Sequence, residues 1–71
     1  MSRYETPLGY IVQEHIYGMD VYENDELVCE ISGKSLDDYR DADTEDIDDD
    51  TLENDIKERI EVKKFLEEEN F

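Results

Sequence analysis

Between Asp37 and Asp50 nine of fourteen residues are acidic and only Arg40 is basic. Such a stretch cannot enter a hydrophobic core. Adjacent carboxylates repel one another, and Asp side chains compete with the backbone for hydrogen bonds. It therefore divides the chain. Of 26 hydrophobic residues, residues 1–36 hold 16, residues 37–50 hold three (Tyr39, Ala42 and Ile47) and residues 51–71 hold seven. Net charge runs the other way, at −5, −8 and −3. A core must be built from the first and last parts, with the middle carried outside. At 71 residues this is one small acidic domain spanning 1–71.

The expected class is α+β: a three-stranded antiparallel meander, a short helix, and a longer C-terminal amphipathic helix. The sheet is placed at 8–32. Residues 9–16, 19–22 and 27–31 are rich in β-branched and aromatic side chains. Tyr17-Gly18 and Asn24-Asp25 are the expected turns, and Asn and Asp both tolerate a positive φ. A two-residue loop at Asn24-Asp25 pairs Val21 with Val28 and mixes Asp20 into the face of Leu27, Cys29 and Ile31. A three-residue loop pairs Val21 with Cys29 and Met19 with Ile31. It gathers Met19, Val21, Leu27, Cys29 and Ile31 on one face and Asp20, Tyr22, Val28 and Glu30 on the other. A one-residue slip inverts whole faces, so the cleaner pattern is expected.

Ser35 to Asp38 reads as a capping box opening a short helix over 35–42. Residues 43–50 should be extended or loosely turned. Asp50 or Thr51 then caps a helix over 52–70. At 100° per residue, Leu52, Ile56, Ile60, Val62, Lys63 and Leu66 fall within about 160°. Glu53, Glu58, Glu61 and Glu68 are placed away from that stripe, as is Phe65. One helix covers one sheet face, which leaves Tyr10, Tyr22, Val28, Phe65 and Phe71 for a partner. A homodimer is expected on that ground.

Nothing in the pattern points to an enzyme. His15, the single histidine, has no second group placed by the sequence to form a nucleophile pair, and reads as a half-exposed strand residue. Cys29 lies among apolar neighbours and reads as a buried structural thiol. One cysteine excludes an internal disulfide and suits a reducing cytoplasm. The glycines Gly9, Gly18 and Gly33 are isolated, so no phosphate loop is expected. A calcium loop starting at Asp41 would need Gly at Asp46 and Glu at Leu52; one starting at Asp46 would end on Lys57 rather than Glu. No cofactor and no metal are expected.

The charge is the remaining signal. A net charge of −16 excludes nucleic acid as a direct partner and opposes an anionic membrane surface. No apolar run approaches the roughly 18 residues of a membrane span. The first residues, Met1 to Glu5, lack the apolar stretch of a signal peptide. Solubility asks for a net charge of about 2 to 8, and self-repulsion beyond that weighs on a small fold. One account is a small acidic structural or interaction domain whose charge serves solubility. The other is imitation of DNA. Duplex DNA carries one charge per about 1.7 Å, so sixteen charges match roughly 27 Å, on the order of eight base pairs. The expected target is a backbone-reading, sequence-nonspecific protein.

With this length, this acidity and the carboxylates concentrated at Asp37 to Asp50, the chain resembles the small acidic DNA-mimic proteins by which phages disable host DNA-binding proteins. It is similar to a Bacillus phage host-takeover inhibitor of the nucleoid protein HU. The resemblance implies an inhibitor in the host cytoplasm, associated with the nucleoid through its partner, that occupies the DNA-binding surface of HU. HU is a symmetric dimer that reads DNA shape and backbone. Restriction enzymes, uracil-DNA glycosylase, RNA polymerase and CRISPR nucleases stay open as other targets. The expected partner-binding residues are Asp37, Asp38, Asp41, Asp43, Glu45, Asp46, Asp48, Asp49, Asp50 and Glu53. Each would present an anion to a Lys or Arg of the target.

Overall fold

The computed structural model describes residues 2–69. The strands β1 (Arg3–Glu5), β2 (Ile11–His15), β3 (Gly18–Glu23) and β4 (Glu26–Ser32) form one antiparallel sheet in the order β1-β2-β3-β4. A 3-10 turn at Leu36–Tyr39 and a single long helix, α1 (Asp49–Glu69), follow. The α+β class stands, but the sheet has four strands rather than three. The added strand pairs Tyr4 with Val12. Its three residues are too few for a period-2 pattern, so the alternation that marks strands is missing. A corner joins β1 to β2, where Thr6 accepts from the Gly9 amide and its hydroxyl accepts from the Tyr10 amide at 3.2 Å.

The β3/β4 hairpin reaches the expected register by another route. Val21 does pair with Cys29, and Met19 with Ile31. Yet the turn has two residues, Asn24 and Asp25, both at positive φ (53° and 65°). Tyr22 therefore pairs with Leu27, and a bulge between Val21 and Tyr22 leaves Val28 as the extra residue. The bulge takes up the one-residue slip and returns the core face to register. It also alters two placements. Val28 is half-buried and packs against the core, while Leu27 is 41% exposed. The other turn lies at Ile16-Tyr17, with Gly18 already in β3.

Val12, Met19, Val21, Cys29 and Ile31 supply the sheet side of the core, and Leu52 and Ile56 of α1 close it. Leu36, Tyr39 and Tyr10 fill the rim. Tyr10 is thus buried rather than available to a partner. Gln13, His15, Asp20 and Tyr22 alternate with the core residues and stay partly solvated, as an antiparallel sheet with one wet face requires. There His15 Nε2 lies 3.1 Å from Asp20 Oδ1.

The expected 35–42 helix is only the 3-10 turn. Its capping carboxylate is in place, with the Ser35 amide donating to Asp38 Oδ2 at 2.8 Å. The turn stops because Arg40 becomes extended and bridges to Ile47. Helix α1 begins three residues earlier than expected. Asp48 is the cap, accepting from the Thr51 amide and hydroxyl at 3.2 and 2.9 Å. The apolar stripe is covered along its first half alone: Leu52 and Ile56 are fully buried, whereas Val62 and Leu66 are more than half exposed, as is Phe65 off the stripe. At 1.5 Å per residue, 21 residues span about 31 Å, and the helix outruns the sheet. The molecule measures 46 × 23 × 22 Å. The expected helix end at Asn70, Phe71 and the Glu68 side chain lie outside what is described.

Candidate functional site

The acidic stretch is an ordered loop held by its own backbone. The Asp41 amide donates to the Asp46 carbonyl at 2.8 Å, the Glu45 amide to the Asp41 carbonyl at 2.8 Å, and the Asp48 amide to the Tyr39 carbonyl at 2.6 Å. Glu45 turns the chain at φ 63°. Arg40, the one cation of the stretch, is exposed but folds back along the loop: its guanidinium donates to the Glu45 carbonyl at 2.7 Å and to Asp37 Oδ1 at 3.1 Å. The loop thus uses its single positive charge to brace itself.

With the backbone closed in this way, the carboxylates divide into two sets. Asp37, Asp38, Asp41, Asp43, Glu45, Asp46, Asp48 and Asp50 are exposed. Asp41, Asp46, Asp48, Asp49 and Asp50 border a shallow hollow of about 360 Å³ with Thr44 and Ile47 on its walls. Asp48 and Asp50 sit at the start of α1, where the helix dipole favours negative charge.

Two expected site residues belong to the other set. Glu53 is buried, and its Oε2 accepts the Leu8 amide at 2.8 Å. Asp49 is half-buried and accepts the Tyr4 hydroxyl. A third carboxylate, Asp55, accepts the Tyr39 hydroxyl at 2.8 Å. These three tie α1 to β1, to the first corner and to the 3-10 turn. Glu53 therefore presents no anion to a partner. The sequence did carry a signal for it. At 100° per residue Glu53 lies only about 20° beyond Ile60 on the apolar stripe, and Asp49 lies inside the stripe.

These bonds shift the tyrosines. The hydrogen bond to Asp49, and secondarily burial, push the Tyr4 hydroxyl up to about 12. Burial, then the bond to Asp55, raises Tyr39 as well, and burial raises Tyr10. Stability from Tyr4 is present below the unfolded value near 10 and is lost as pH rises through the folded value. An alkaline titration by phenolate absorbance should show Tyr4 and Tyr39 ionising late, with unfolding accompanying them. A Tyr4→Phe variant should lose one late-titrating group. Simple titration of every tyrosine near 10 would refute the Tyr4–Asp49 contact.

Burial also raises the Cys29 thiol, which keeps it protonated and a poor nucleophile. Among the described residues, no group of three or more His, Cys, Asp or Glu converges closely enough to hold a metal ion, and no helix is long and apolar enough to cross a membrane. The 46 Å long axis exceeds the 27 Å expected from charge matching. Sixteen charges along it amount to one per about 3 Å, sparser than duplex DNA overall. The density is concentrated at the loop.

No family model matches the chain, and no curated protein or solved structure matches it either.

Proposed function

We propose that the chain is a non-enzymatic DNA mimic that occupies the DNA-binding surface of a sequence-nonspecific host protein, with HU as the first target. The reading rests on one observation above others: the acidic stretch is an ordered loop with eight outward carboxylates, rather than a solvated tail. An ordered array meets a basic surface without the entropy cost of ordering on contact. The 360 Å³ hollow is open to the head of a Lys or Arg, with carboxylates around it in place of phosphate oxygens. Bases have no counterpart in the loop, which suits a target that reads backbone and shape.

The test is displacement of a labelled duplex from purified HU by the full chain. Displacement should be competitive and should weaken steeply as salt rises, because attraction between exposed charges is screened within about 8 Å at physiological ionic strength. A duplex that stays on HU at low salt under excess chain rules HU out. Insensitivity to salt would rule out the mimicry itself.

A further inference from the structure

We infer that the groove between β4 and the outer half of α1 is the contact surface of a two-fold homodimer. The groove has a volume of about 670 Å³. Leu27, Val62 and Leu66 give it an exposed apolar floor, at 41%, 52% and 60% exposure. Lys34, Arg59 and Lys63 rim it, three of the seven cations in the chain. This placement differs from a sheet-face contact, to which the buried Tyr10 could contribute nothing.

Charge decides the occupant. Two copies each carrying −16 repel, so they can approach only where cations gather. The groove comes nearest to such a place: its three cations stand among four carboxylates, Glu30, Asp55, Glu58 and Glu67, so the lining is close to charge-balanced in a strongly acidic chain. The matching surface must be apolar and flanked by carboxylates. The same helix offers it: Glu58 and Glu67 lie beside Val62 and Leu66 in the groove wall. A patch holding both the cations and the anions it needs is self-complementary, as a closed two-fold contact requires. Antiparallel apposition of two α1 segments about a two-fold near Val62 would bring Arg59 of each copy toward Glu67 of the other, with Val62 and Leu66 between them. β4 adds an open sheet edge, since only β3 lies beside it. The inference does not depend on the target of the acidic loop.

Sedimentation of the full chain tests it without any partner. The wild type should sediment as a dimer, and the dimer should tighten as salt screens the net repulsion. Replacing Val62→Asp and Leu66→Asp together should give a monomer with unchanged circular dichroism, because both side chains are largely exposed within one copy. Burying unpaired carboxylates at the contact should weaken association on the order of a hundredfold or more. A wild type that stays monomeric at high concentration and high salt overturns the inference. So does a folded double variant that dimerises as well as the wild type.

Discussion

Gly18→Ala should abolish the cooperative unfolding transition at ambient temperature. Gly18 opens β3 at φ +145°, and an added Cβ would fall 2.3 Å from the Ile31 carbonyl oxygen and 2.8 Å from the Ser32 Cα. Both are backbone atoms of the pairing strand, so no side chain can swing aside. Relief would require β4 to move, and β4 carries Cys29 and Ile31 into the core. Strained backbone and overpacking together place the cost at about 3 kcal/mol or more. A domain of this size holds only about 3–5 kcal/mol in its core. Gly33→Ala is the control. Its φ is also positive, at +75°, but nothing lies within 4 Å of the added Cβ. It should cost about 1 kcal/mol and lower the melting midpoint while keeping the transition. Thermal melts by circular dichroism read both. Equal midpoints for the two variants would mean that the close approach of β3 and β4 has no energetic weight.

What the sequence made legible follows from how each feature is encoded. The Met19/Ile31 and Val21/Cys29 register was readable because apolar faces tolerate only one alignment. The bulge at Val28 was not readable, since a two-residue turn plus a bulge yields the same core face as a three-residue loop. β1 escaped because Arg3-Tyr4-Glu5 has one apolar residue and gains its place through long-range contacts, with Val12 across the sheet and Asp49 on α1. The helix start escaped because Asp48, Asp49 and Asp50 are chemically alike. Only the folded chain decides which of them caps, which reaches Tyr4 and which faces water. The same ambiguity runs through the site. Composition marked the acidic stretch but could not separate an anion turned outward from one, such as Glu53, that accepts a backbone amide within.

That division sets the variant that should weaken target binding most. Neutralising Asp43, Glu45, Asp46 and Asp50 together, as Asp43→Asn, Glu45→Gln, Asp46→Asn and Asp50→Asn, removes four exposed charges whose side chains make no hydrogen bond among the described residues. Asp48 and Asp49 are left alone because they cap α1 and hold Tyr4. Each exposed pair with a target cation contributes roughly 0–1 kcal/mol, so any single change should be mild. Four together should cost about 2–4 kcal/mol, a loss of roughly 30- to 1,000-fold in displacing duplex from HU. The fold should persist, since self-repulsion falls. A second fourfold variant, Glu5→Gln, Asp25→Asn, Glu26→Gln and Glu30→Gln, makes the same change in net charge at exposed sites of the sheet. It should retain most of the displacement. Equal losses in the two variants would mean that the target responds to net charge rather than to the loop. A loop variant that is folded and still displaces duplex as well as the wild type would leave the acidic stretch a solubilising feature with no part in binding.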